Sequence, residues 1–262
     1  MRILGIGDPH GSSKIKKINF KDVDVIFITG DIGKSDLMRK YAFKHIDNSK
    51  SWVYCEKPSL VKKAYLEAFN STIKILKFLS KKACVYFVYG NVEGDDASTR
   101  RLSRKLKIKL PILGDVVKKM KNVYLINNKK IRFKNLDIAG SSFFVEDVWV
   151  KIFAPENKKK IKEAKQETKK ARKFFSKLKK VDILVCHQPP FGVLDKVNFP
   201  SAPKSWQGKH AGSKIILNYI KKKKPKLVLC GHIHEGLGKK KLGKTQVINL
   251  GCAGGYSIVD LD

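Results

Sequence analysis

Seven side chains of types that bind divalent metals stand in short motifs after apolar runs. Asp8 and His10 stand in GDPHG, Asp31 in GD, Asn91 in GN, His187 in HQPP, and His232 and His234 in GHIH. Carboxylate and imidazole suit Zn, Fe, Mn and Ni, and no cysteine is spaced to make a sulfur site. Asp-x-His and His-x-His place two side chains on the same side of an extended backbone. One short segment can then address one metal or two neighbouring ones. Taken singly, each residue reads as a turn residue or helix cap, and GD and GN are ordinary turn dipeptides. The conjunction points elsewhere: four of the six histidines in the chain belong to this set, and each of the four follows an apolar run.

Those runs must position the seven. RILGI (2–6), VDVIFIT (23–29), CVYFVYG (84–90), LDIAGS (136–141), VDILVC (181–186) and KLVLCG (226–231) are rich in Val, Ile and Leu and end in polar or glycine turns. Continuous apolar runs of this length predict strands covered on both faces. VYLINN, KKIRF, TQVINL and YSIVDL predict shorter strands, some pairing antiparallel. Helical spacing falls between them at 59–81 and at 213–223, the latter stopping before Pro225. Alternating strands and helices predict an α/β layered architecture. In such sheets ligands bind beyond the carboxyl ends of the strands, where all seven residues lie.

Residues 156–180 predict one amphipathic helix with a lysine-covered outer face, read either as a surface helix on the sheet or as a nucleic-acid or partner-binding arm. With no internal repeat or low-complexity linker, residues 1–262 are expected to form one domain.

Composition bounds the rest. At 42% hydrophobic residues, the 262-residue chain is expected to be globular. No apolar run approaches the roughly 18–20 residues of a membrane span, and MRILGIGDPHG does not read as a signal peptide. The expectation is a cytoplasmic protein without a membrane partner. Five cysteines without CxxC spacing argue against a disulfide framework, and Cys84, Cys186 and Cys230 read as small core residues. The net charge of +33 attracts polyanions. It fits nucleic acid or a phosphorylated substrate, and equally fits lysine-rich solvated faces.

The ordered series D-x-H, G-D, G-N, H, G-H-x-H, running from residue 8 to residue 234, resembles the calcineurin-like metallophosphoesterases. The stretch KHAGSKIILNYIKKKKPKLVLCGHIHEGLG also resembles the branch related to cyclic-nucleotide phosphodiesterases. The resemblance implies a four-layer α-β-β-α sandwich with the metal site at the strand C-terminal ends. It implies two divalent metal ions, Mn2+ favoured, with Fe, Ni, Zn or Mg as alternatives. Asp8, His10 and His234 would hold the first metal, Asn91, His187 and His232 the second, and Asp31 would bridge them.

Two metals neutralise phosphoryl oxygens and lower the pKa of a shared water, so that a bridging hydroxide can attack phosphorus. The implied function is a metal-dependent phosphoesterase, with a phosphodiesterase favoured over a monoesterase. Its partner would be a small phosphoester, a nucleotide among the candidates. The family pattern GNHD or GNHE reads Gly90-Asn91-Val92-Glu93 here. Val92 thus stands where a histidine commonly delivers a proton, a contribution typically worth ~10²–10⁴-fold. His210 is the candidate replacement. Asp31, Asn91 and His210 form the expected catalytic set, and Asn91, His210, Gly212 and Ser213 the expected substrate contacts, with the helix N-terminus at 213 as a phosphate seat.

Glu93 and Glu235 read as groups orienting the ligands or as solvated turn residues. Trp206 reads as a base-stacking or a loop-packing residue, and His45 as a surface residue. A nuclease, and a non-catalytic metal-binding scaffold arising from the loss at Val92, remain alternatives. The sequence carries no signal for the oligomeric state.

Overall fold

A computed structural model describes residues 1–45, 51–200 and 202–261. Residue 201, within the loop 199–211 that carries Trp206, lies outside them. Eleven strands follow in chain order among the described residues: β1 (Arg2–Ile6), β2 (Val25–Ile28), β3 (Cys84–Phe87), β4 (Val123–Leu125), β5 (Lys129–Phe133), β6 (Leu136–Ser141), β7 (Ile183–Cys186), β8 (Leu227–Cys230), β9 (Gly238–Leu242), β10 (Thr245–Asn249) and β11 (Tyr256–Asp260). The helices are α1 (Asp36–Lys44), α2 (Pro58–Leu79), α3 (Asp96–Lys105), α4 (Leu113–Val117), α5 (Asp147–Phe153), α6 (Lys158–Lys177) and α7 (Lys214–Lys223).

The strands form two mixed sheets, ordered β11-β1-β2-β3-β4 and β5-β6-β7-β8-β10-β9. The five strands that precede the seven candidate ligands are parallel within their sheets: β1, β2 and β3 in the first, β7 and β8 in the second. Their side chains alternate between two apolar layers. Ile3, Val25 and Phe27 of the first sheet meet Val185, Leu229 and Ile248 of the second between the sheets. Leu4, Ile26 and Phe87 face outward onto Ile75, Leu76 and Leu79 of α2. Leu184, Val228 and Val247 face outward onto Phe175 of α6 and Ile216 and Ile220 of α7. The result is the expected order helix, sheet, sheet, helix, and it explains why the strands read as unbroken apolar runs.

Several expected elements are shorter than their apolar runs: β2 covers 25–28 of 23–29, β3 covers 84–87 of 84–90, and α6 covers 158–177 of 156–180. Asn157 caps α6 by accepting from the Lys160 amide at 2.9 Å. Cys186 and Cys230 are fully buried, whereas Cys84, at the start of β3, is only half-buried. No disulfide joins these cysteines.

The helices α1, α3, α4 and α5 and the strand β9 carry too little apolar periodicity to be expected. β9, with Lys239–Lys241 on an outer edge beside β10, shows the charge that guards an exposed edge. Among the described residues no helix is long and apolar enough to cross a membrane.

Because the inter-sheet layer holds the two halves in register, its disruption should be costly. Leu229, fully buried there, is expected to cost about 2–5 kcal/mol on replacement by alanine, read as a shift of the urea midpoint. A cost under about 1 kcal/mol would contradict a shared core between the sheets.

Candidate metal centre

Both sheets deliver ligand-type residues to one place. Asp8 and His10 follow β1, Asp31 follows β2 and Asn91 follows β3; His187 follows β7, and His232 and His234 follow β8. The backbone bends sharply after these strands. His10, Asp31 and His232 all lie in the left-handed region, at φ 45°, 48° and 66°. Such angles are uncommon outside glycine and concentrate at functional sites. The glycines of the motifs permit close approach. A Cβ at Gly90 would collide with the Asp31 carboxylate and lie 2.7 Å from the His187 ring, and one at Gly231 would collide with the Asp8 carboxylate.

All seven side chains converge. One donor atom each from Asp8, His10 and His234 lies within 4.8 Å of the others, and the same holds for Asp8, Asp31 and His187. Asp8 belongs to both groups. Asp31 Oδ2 stands 3.8 Å from Nε2 of His10 and 3.8 Å from Nε2 of His187, so it also spans the two. Asn91 Oδ1 lies 3.0 Å from His187 Nε2 and 3.1 Å from His232 Nδ1, joining the last two donors. His234 Nε2 is 3.3 Å from Asp8 Oδ2. The buried Nε2 of His10 has no hydrogen-bond partner among the described residues. An orphaned imidazole nitrogen beside two buried carboxylates is a donor set that fits a cation.

A layer of hydrogen bonds orients these donors. His187 Nδ1 donates to the Thr29 carbonyl at 2.8 Å, which leaves Nε2 facing Asn91 and Asp31. His10 Nδ1 pairs with Ser35 Oγ at 3.3 Å. Asp8 accepts from Thr29 Oγ1 at 3.1 Å and from the His232 amide at 2.6 Å. Asp31 Oδ1 accepts from the Val92 amide at 2.8 Å. Glu93 accepts from the amides of Asp31, Ile32 and Gly90 at 2.9, 2.7 and 2.9 Å. It therefore ties the turn after β2 to the turn after β3, and it is an orienting group rather than a solvated turn residue. Glu235 instead accepts from the Asn198 amide at 3.2 Å and braces the loop before His210.

Charge is concentrated and poorly hydrated here. Burial, only partly offset by His187, pushes Asp31 up to about 7. Burial acts the same way on Asp8, but His187 and the contacts from His234 and the His232 amide hold that carboxyl below its usual range. Burial lowers His10 to about 4 and His232 to about 3. His187 is raised, because Asp31 and Asp8 outweigh its own burial.

The centre opens into a cavity of about 300 Å³. His10, Asp31, Asn91, His232 and His234 form its floor, and Val92, Ser35, Met38, Arg39, Ala42 and Trp52 form the wall. His210, Gly212 and Ser213 are not among the lining residues. His210 Nδ1 pairs with the buried Asp195 at 2.6 Å. The N–H groups at the start of α7 are already engaged: Gly212 donates to Asp195 at 2.9 Å, Ser213 to the Pro189 carbonyl at 2.8 Å, and Ile216 to Ser213 Oγ at 3.1 Å.

Trp206 packs edge-on against Trp149 and Phe153 of α5, the packing alternative of the two read from sequence. His45 is largely covered and pairs with Glu56 at 2.9 Å, so it is not a surface residue. Sequence reasoning missed Asp195, Ser35, Arg39 and Trp52. A buried aspartate between Leu194 and Lys196 carries no motif, and α1, which bears Ser35 at its N-cap and Arg39, has only a short apolar face made by Leu37, Met38, Tyr41 and Ala42.

The family model described as calcineurin-like phosphoesterase matches residues 1–236. The human and mouse proteins named metallophosphoesterase domain-containing protein 1 are each 41% identical over 70 residues, which is 26% of this chain and 19% of theirs. The chain therefore matches about a fifth of the length of those relatives. One solved crystal structure superposes at a TM-score of 0.59 with 16% identity, over 99% of this chain and 94% of that one. The phosphopantetheinyl hydrolase of Mycobacterium tuberculosis superposes at 0.53 with 12% identity, over 96% of this chain and 89% of that one. With a match over residues 1–236 and the shared fold, this chain belongs to the calcineurin-like phosphoesterases, a family of binuclear metal-dependent phosphoester hydrolases.

Proposed function

We propose that this hydrolase acts on phosphodiesters of small molecules, nucleotides among them, with Asp8, His10, Asp31, Asn91, His187, His232 and His234 holding two divalent cations, Mn2+ first among the candidates. Bound there, the cations would neutralise phosphoryl charge and supply an activated water. The chain's own residues do the rest. Asn91 and His232 sit at the cavity floor, where a phosphoryl oxygen would reach them. Glu93 keeps Asp31 and Asn91 at a fixed separation through the amides it holds.

The observation that carries the preference for a diester is the wall beside Asn91. Val92, Met38, Ala42 and Trp52 make one half of it apolar, and Arg39 is the only permanent cation among the lining residues. A diester carries one negative charge fewer than a monoester dianion and brings a second organic group. A cavity with one side-chain cation and an apolar wall matches both properties. In this reading His210 stands back from the phosphoryl group, its ring oriented by Asp195, and takes part in proton movement through solvent rather than by contact.

The test is a panel of aryl phosphomonoesters and phosphodiesters against Mn2+, Zn2+, Ni2+ and Mg2+. Diester turnover should exceed monoester turnover, and Asp31→Asn should lower it by orders of magnitude. Equal or better monoester turnover would sink the diester reading, and near-normal activity in Asp31→Asn would remove Asp31 from the centre.

Metal uptake should also be linked to protons. A cation entering near neutral pH must displace protons from Asp31, held at about 7, and from His187. His10 and His232, lowered to about 4 and about 3, are already neutral. Affinity should therefore rise as pH climbs through about 7 and fall as it drops, with proton release visible by calorimetry in buffers of different ionisation enthalpy. Affinity flat from mildly acidic to mildly basic pH would contradict the assignment. Glu93→Gln, which leaves one acceptor oxygen for three amides, is expected to weaken metal binding by about 10–100-fold in the same experiment.

A further inference from the structure

The wall over the metal centre is built by a helix with no role in the core. None of the nine residues of α1 is buried. It is held by polar contacts at its two ends: the Leu37 amide donates to Glu67 at 3.0 Å, and Lys44 and His45 both reach Glu56, at 2.7 and 2.9 Å. Two nearby cations are neutralised, Lys34 by Asp36 and Glu67 at 3.2 and 3.4 Å and Lys44 by Glu56. Arg39 lines the cavity and has no ion pair among the described residues. Trp52, across the same cavity, is fixed from behind. It is stacked on Tyr41 of α1 at 5.8 Å and 24°, and it packs on the cluster of Val61, Leu102 and Leu110.

We infer that Arg39 and Trp52 form the substrate-recognition wall of the site, Arg39 binding the phosphoryl oxygens and Trp52 presenting its ring to an aromatic group on the ester, a nucleobase foremost. This rests on the phosphoesterase reading above and names its substrate class. A guanidinium with no ion pair among the described residues, facing a phosphate-sized opening, gains charge-assisted hydrogen bonds there. An indole with one face already stacked is pre-ordered, so stacking a base against it costs little side-chain entropy. The reading also gives α1 a purpose that its lack of buried residues otherwise leaves without one.

Binding can be separated from turnover. Calorimetry on the metal-loaded protein would compare inorganic phosphate with adenosine monophosphate, for wild type, Arg39→Ala, Arg39→Lys, Trp52→Ala and Trp52→Phe. Arg39→Ala should weaken both ligands by about tenfold or more, with partial recovery in Arg39→Lys. Trp52→Ala should weaken adenosine monophosphate by about tenfold and leave phosphate unchanged, with Trp52→Phe retaining most of the affinity.

Phosphate binding unchanged in Arg39→Ala would overturn the role of Arg39. Equal loss of both ligands in Trp52→Ala and Trp52→Phe would mark Trp52 as purely structural and overturn its role. Thermal melts of every variant guard against a folding defect. Failure of the phosphodiesterase reading would show separately, as absent diester turnover in the wild type, while the phosphate and nucleotide isotherms are read without turnover.

Discussion

Two carboxylates, Asp8 and Asp31, are buried side by side where the ends of two sheets meet. In a low-dielectric interior such a pair repels, and each group loses its hydration. Much of the local architecture answers that constraint. Amides of Val92 and His232 and the hydroxyl of Thr29 point at the carboxylates, and four imidazoles surround them. The environment still leaves Asp31 reluctant to ionise and His10 reluctant to protonate. A divalent cation bound there would supply the missing positive charge.

The donors are divided between the sheets. The first contributes Asp8, His10, Asp31 and Asn91, and the second His187, His232 and His234. Their spacing is therefore set by the apolar layer between the sheets and not by any one loop. Side chains such as Phe27, Val185 and Leu229 fix a distance some way from where the chemistry occurs. The turns then refine the geometry: Glu93 binds two of them together within the first sheet, and the His187–Thr29 hydrogen bond crosses to the second.

How much of this was legible in the sequence follows from which physical signals are local. An apolar run ending in a glycine and a polar residue is local, so the strands before Asp8, Asp31, Asn91, His187 and His232 could be read, and the layered fold with them. The bend of CVYFVYG at Val88 could not, because the strand stops to meet the site and not because its residues disfavour extension. Glu93 could be read only as one of two things, since its three amide partners come together after folding. Asp195 gave little sign, as only Gly192 among its side-chain partners is local, and His210 and Gly212 lie 15 and 17 residues away. The helix α1 escaped because its apolar face, Leu37, Met38 and Tyr41, spans little more than one turn and is only half-buried.

That last property has a wider meaning. A segment that contributes nothing to the interior is free to change composition without endangering the scaffold. On the proposed reading, the sheets carry the metal-binding floor, and the helix above them would decide whose ester is accepted. Such a chain could change its substrate there while keeping its fold.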